Sequence, residues 1–187
     1  MMKVERDRPL GGAEEIMAAL ASTESLPYLG EPVSQLFHAL QAGFQARAAG
    51  DDDELVLAAV LHDVGRAPGV AVRGAPHEEA GAAWLAPLLG ERVAYLVESH
   101  VPAKRVLVAT EPGYVERLSA TSEATLRVQG GPATVAEVVV FMAHPWAPDA
   151  LALRRADEAA KDPEGPALSL AEVAELLESC VGESVSG

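Results

Sequence analysis

The chain has 187 residues and a formal net charge of −14 at pH 7, a length that suits one domain with a proper core. Such acidity repels phosphate backbones and anionic lipid, so nucleic-acid and membrane partners are disfavoured. Hydrophobic residues make up 49% and aromatics only 4%, so Ala, Leu and Val must build the core, which favours close-packed helices over a β-sandwich. The single cysteine, Cys180, excludes a disulfide framework or a Cys-based metal site within one chain and fits a reducing cytosol. No uninterrupted apolar run opens the chain, and none approaches the roughly 18 residues of a membrane span. Neither a signal peptide nor a transmembrane helix is expected, and the expected location is cytoplasmic.

In chain order, residues 11–22 read as a short helix and 22–32 as a loop punctuated by Pro and Gly. A helix starts near Glu31-Pro32 and runs to about Ala49, with Leu36, Phe37, Leu40 and Phe44 on its apolar side. Gly50 ends it, and Asp51 to Asp53 cap a helix over 53–63. A Gly/Pro-rich connection follows over 64–76. His77 opens a helix to Leu89, with Glu78 and Glu79 in its favourable first turn. Gly90 separates this from a helix ending at His100; Pro102 breaks the pattern and 103–109 resumes it. Short helices are expected after Pro112, over about 121–128 and over 134–143. A turn at 144–148 precedes a helix capped by Asp149, which carries Arg154 and Asp157 and ends before Pro163. A last amphipathic helix spans about 169–180. Almost no segment alternates with period two, so the predicted class is all-α. The expected organisation is a lead-in over 1–24, a core over 25–163 and a C-terminal helix and tail over 164–187. That helix, with Leu168, Leu170, Val173, Leu176 and Leu177, suits packing on its own core or on a partner, so the oligomeric state stays open.

The chemistry starts at the doublet His62-Asp63, inside the apolar run LVLAAVLHDVG. Neighbours on a helix point about 100° apart, so the two share a site only if other elements bring ligands to them. The chain offers His38, His77, His100 and Asp157 in helical patterns. Four imidazoles and two carboxylates are enough for two metal ions if Asp63 bridges them, and mixed nitrogen and oxygen ligands suit iron, manganese or zinc. One such histidine alone is an ordinary core or surface residue, the reading that fits His144 in its Pro-rich turn. Asp63 is different, because a lone carboxylate at the end of LAAVLH is costly to bury without a cation.

The order of these residues resembles the HD-domain metalloproteins: a His on one helix, a His-Asp doublet on the next, two further histidines and a late Asp. The resemblance implies a compact helical bundle with a dinuclear site. Asp63 would bridge, His38, His62 and Asp157 would complete one metal, and His77 and His100 the other. The strings YLGEPVSQLFHALQ, LAAVLHDVG, HEEAGAAWLAPLLG, SHVPAKRVLVAT, LSATSEATLRVQGGP and DALALRRADEAAKDP look more closely like the HD proteins of phosphonate degradation, over roughly residues 25–163. These include di-iron oxygenases that cleave the carbon–phosphorus bond of 2-amino-1-hydroxyethylphosphonate and its relatives.

That resemblance implies two iron ions in a mixed-valent Fe(II)/Fe(III) state, with a small phosphonate and O2 as the reacting partners. Tyr28 would occupy an iron position until substrate displaces it, and Glu31 would meet the substrate's amino end. Lys104, Ser122 and Arg154 would hold the phosphonate, while Arg105 and Arg155 read as surface cations. Lys104 lies one helical turn from His100, and Arg154 precedes Asp157 by three, so each pair can share a face. One departure stands out: where the family's doublet continues to a second histidine, this chain has Arg66, a permanent cation that cannot act as a general acid–base near neutral pH. It could grip the phosphonate more strongly or contact a carboxylate on a different substrate. The leading expectation is an O2-dependent oxygenase yielding phosphate and a carboxylate. The alternative is a metal-dependent phosphohydrolase acting on a phosphate ester, and a non-catalytic metal-binding module ranks last.

Overall fold

The computed structural model describes residues 12–28 and 30–183; residues 1–11 of the expected lead-in over 1–24 and the end of the tail fall outside them. Among the described residues the chain is all-helical, in keeping with an HD-type bundle. In order, the helices are α1 (Gly12–Ala21), α2 (Gln35–Ala49), α3 (Asp53–Leu61), α4 (His77–Thr110), α5 (Ala120–Val128), α6 (Val135–Met142), α7 (Ala147–Ala159) and α8 (Leu170–Glu183). No helix among the described residues is long and apolar enough to cross a membrane.

Helix α3 is the axis of the core. Every residue from Leu55 to Leu61 is buried, as expected of a helix that is apolar all round. Helices α2, α4, α7 and α8 pack around it. Helix α8 lies on this same core through Val173, Leu176 and Leu177, and Leu168 just ahead of it is buried there too.

Side-chain caps set several boundaries. Ser34 accepts a hydrogen bond from the Phe37 N–H, Asp52 from Leu55, and Ser119 from Ser122. The Ser34 cap explains why α2 begins later than the sequence pattern suggests. Instead, two hydrogen bonds hold the described residues ahead of it in a tight loop: the Tyr28 N–H donates to the Val33 carbonyl and the Gln35 N–H to that of Leu26. Asp149 does not cap α7. Pro148, whose fixed φ suits a first turn, stands inside the helix start, and Asp149 instead receives Arg92 at 2.9 Å. Arg92 also pairs with Asp52 and Glu54, tying the start of α3 to α4 and α7.

Gly90, at φ 86°, interrupts α4 where a break is expected, but Pro102 does not. Pro102 and Glu98 are both exposed, so water can satisfy the carbonyl that proline leaves without a partner.

Candidate metal centre and substrate cavity

Helix α3 stops at Leu61. His62 keeps helical backbone angles, but Asp63 turns to φ −102° and ψ 9° before a 3-10 turn over Val64–Arg66. Leaving the helix at this point lets adjacent side chains reach one site, since Asp63 sits in the backbone region common in active sites.

Two groups of convergent ligands result: His38, His62 and Asp157, then Asp63, His77 and His100. Within each, the ligand atoms lie within 4.8 Å of one another. In the first group, His38 Nε2 is 3.2 Å from His62 Nε2 and 3.3 Å from Asp157 Oδ1. In the second, His77 Nε2 is 2.8 Å from Asp63 Oδ1 and 3.3 Å from His100 Nε2. Asp63 also faces the first group, with Oδ2 at 3.7 Å from His62 Nε2.

The far side of each ring is fixed. His38 Nδ1 donates to the Ala160 carbonyl at 2.6 Å, His62 Nδ1 to Ala59 at 2.7 Å and His100 Nδ1 to Val97 at 2.6 Å. His77 Nδ1 faces the Glu78 carboxylate at 3.0 Å. These bonds orient the rings and leave Nε2 of each neutral ring with its lone pair toward the site. Burial pushes the His62 and His100 imidazolium forms down, His100 to about 3, helped there by its histidine neighbours. Burial also disfavours a charged His77, but hydrogen bonds to Asp63 and Glu78 outweigh it and raise His77 to about 9.

The first group is an acceptor trap. Two imidazole lone pairs meet Asp157 Oδ1, which is buried and has no hydrogen-bond donor. Acceptors converging without a proton between them repel unless a cation sits among them. The residues therefore fit a metal ion. Burial opposes ionisation of both aspartates, yet both stay well below the usual carboxylate range: Asp63 through His62 and Arg66, Asp157 through Arg154 and His62.

Beside the ligands lies a cavity of about 370 Å³, lined by Tyr28, Arg66, Lys104, Ser122 and Arg154, among others. The Tyr28 ring stacks on His38, centroids 3.9 Å apart, and burial with Asp157 and Asp63 raises its hydroxyl pKa beyond the ordinary range. Glu31 stands outside the lining, with Oε1 buried and without a hydrogen-bond partner. Lys104 donates to Thr125 Oγ1 at 2.8 Å, and burial, then Arg154, push it down to about 8. Arg154 donates to Asp157, to Glu158 and, at 3.3 Å, to Ser122 Oγ. Arg66 Nε donates to Asp63 Oδ1 at 3.1 Å.

Several contributors had not stood out in the sequence. Gln35 donates to Asp63 Oδ2 at 2.7 Å, one helical turn before His38. Glu158 receives Ser119, Ser122 and Lys161, each at 2.7–2.8 Å, so with Arg154 and Asp157 it forms a largely buried ionic network. The spacing of Glu158, four after Arg154, was the available signal. His144 lies apart, stacked on Tyr95 at 3.6 Å. Arg105 holds Glu137 of α6, and Arg155 holds Glu111.

No protein-family model matches the chain. It is 38% identical over 141 residues to 1-hydroxy-2-(trimethylamino)ethylphosphonate dioxygenase (glycine-betaine-forming) of Leisingera caerulea, over 72% of each chain. It is 35% identical over 165 residues to hydroxymethylphosphonate dioxygenase of Gimesia maris, over 84% of this chain and 82% of that one. The chain belongs to this phosphonate dioxygenase family. The dioxygenase relatives and the two His/Asp ligand groups together suggest a metal cofactor. Both relatives are named as dioxygenases, which favours the oxygenase over the phosphohydrolase.

Proposed function

We propose that this protein is a di-iron, O2-dependent oxygenase that cleaves the C–P bond of a 1-hydroxyphosphonate, 2-amino-1-hydroxyethylphosphonate or a relative, to phosphate and a carboxylate. The observation that carries the reading is two adjacent ligand groups, Asp63 belonging to the second with its Oδ2 3.7 Å from His62 of the first, set against a cavity walled by Lys104 and Arg154. His38, His62 and Asp157 would hold one iron, His77 and His100 the other, and Asp63 both. Bound iron would relay electrons from the substrate to O2. A mixed-valent pair is part of the proposal.

The chain's own share is binding, orientation and exclusion of water. Lys104, Ser122 and Arg154 suit a dianionic phosphonate, the two cations by charge and the serine by its hydroxyl. Tyr28, stacked on His38, gives way to the substrate, and Glu31 meets an amino end where one is present. Helix α5 closes over the cavity through Ser122 and Thr125, both on its wall.

The test is phosphate release from 2-amino-1-hydroxyethylphosphonate and from hydroxymethylphosphonate by iron-reconstituted protein, with and without O2. The expected result is phosphate formed only with O2, at matching O2 uptake. Phosphate release from phosphate esters without O2, and none from either phosphonate, would overturn the proposal.

A further inference from the structure

The cavity has two separate cationic ends. Lys104 and Arg154 share one, in the field of Asp157, Glu158 and Lys161. Arg66 forms the other, in the field of Asp63, Tyr28 and Glu78. At the first end the guanidinium is matched, because Arg154 donates to both Asp157 and Glu158. At the second end Arg66 holds Asp63 Oδ1, and its Nη2 stands 3.1 Å from His77 Nε2.

Those two atoms are ones an ion in the second group would take. A metal there claims both and repels a guanidinium. Arg66 must then turn away, and its side chain, 39% exposed, has room to do so. What remains is a cation on the cavity wall with its bond to Asp63 lost. Among the described residues lining the cavity, the only carboxylates are Asp63 and Asp157, both in the ligand groups. The wall thus offers a spare cation and no spare anion.

We propose that Arg66 selects a 1-hydroxyphosphonate whose end away from phosphorus is itself anionic, a carboxylate, which pairs with the guanidinium freed when the second group is filled. This rests on the oxygenase reading above and narrows its substrate class. Arginine's planar fork suits a carboxylate in a bidentate pair. The simplest such compound is hydroxy(phosphono)acetate. Its C1–H and C–P bonds break and supply four electrons to O2. One oxygen atom goes to C1 and the other to phosphorus. The products are oxalate, inorganic phosphate and one proton.

The experiment compares kcat/KM of iron-reconstituted protein for hydroxy(phosphono)acetate, hydroxymethylphosphonate and 2-amino-1-hydroxyethylphosphonate. It is repeated with Arg66→Ala and Arg66→Lys, with circular dichroism to confirm folding. Calorimetric binding of the same compounds to the iron-loaded protein without O2 gives a readout independent of turnover. The carboxylate compound should be preferred. Arg66→Ala should lower its preference over hydroxymethylphosphonate by about tenfold or more, the scale of one charged hydrogen bond, and Arg66→Lys should restore part of it.

Equal weakening of both compounds by Arg66→Ala would overturn the proposal and make Arg66 a phosphonate contact. Preference for the amino compound in the unaltered protein would overturn it in favour of the Glu31 side. If no compound yields phosphate with O2, the oxygenase reading fails separately. Calorimetry then decides for Arg66: carboxylate-dependent binding lost in Arg66→Ala supports it, and its absence overturns it.

Discussion

A Cβ on Gly65 would lie 1.9 Å from the carbonyl oxygen of His77. The turn after the doublet therefore presses directly on the first turn of α4, and only glycine permits the approach. That contact brings His77 Nε2 to 2.8 Å from Asp63. Gly65→Ala must push the two segments apart. It should cost about 1–3 kcal/mol and lower the bound metal from two ions toward one, with His38, His62 and Asp157 still loaded. Metal analysis of the purified variant checks this, and full loading would show that the site tolerates the shift.

Gln35 supports the carboxylate expected to bridge. Its amide donates to Asp63 Oδ2 at 2.7 Å in a buried setting. Gln35→Leu removes the donor while keeping an apolar body of similar size. Metal affinity should fall about 10–100-fold, as for other lost supports of a ligand, and competition with a chelator measures it. An affinity equal to that of the unaltered protein would contradict the role.

Lys104 should set an alkaline limb. Burial, then Arg154, lower it to about 8, and only the ammonium form can hold a phosphonate by charge. The value of kcat/KM should therefore fall as pH rises through about 8, and Lys104→Gln should lower it throughout and flatten that limb. Stability moves the other way. Between about 8 and the ordinary lysine value of 10.5 the unfolded chain binds more protons at this position, so this residue's contribution makes the fold more stable as pH rises through that window. Denaturation of Lys104→Met across the same range should lack this rise.

Metal removal should loosen the fold around α3. Without a cation, Asp157 Oδ1 stays buried with no donor beside two imidazoles. A chelator should lower the melting temperature, since ions that bind only the folded chain stabilise it by mass action. Asp63→Ala should lose both ions and melt with the chelated protein. Near-stoichiometric binding of two ions by that variant would falsify the shared-ligand arrangement.

Much of this architecture was legible in the chain. Helical periodicity located the helices, and the apolar run before His62 marked the buried α3. Asp63 stood out because a carboxylate closing an apolar run needs a cation, whereas the four histidines stood out as a set and Asp157 through the resemblance to the HD-domain metalloproteins. What escaped the sequence reading depended on contacts between distant segments. Gln35 and Glu158 look like ordinary polar helix residues until α2 meets the doublet and α7 meets α5. The start of α2 was misplaced because Ser34 competes with Pro32 as the boundary, and the hydrogen bonds from Tyr28 to Val33 and from Gln35 to Leu26 decide it. Pro102 reads as a breaker, but its effect depends on whether water can reach the freed carbonyl.

The burial of Lys104 and Arg154 has a kinetic side. On the proposed reading an anionic substrate diffuses toward a molecule of net charge −14, yet would be received by cations that are only 5% and 2% exposed. Dissolved salt damps the exterior repulsion over a Debye length of about 8–10 Å and acts far less on groups inside. Ionic strength should thus govern how often substrate arrives more than how firmly it is held. Capture should quicken as salt is added, the reverse of an enzyme that steers its substrate by attraction.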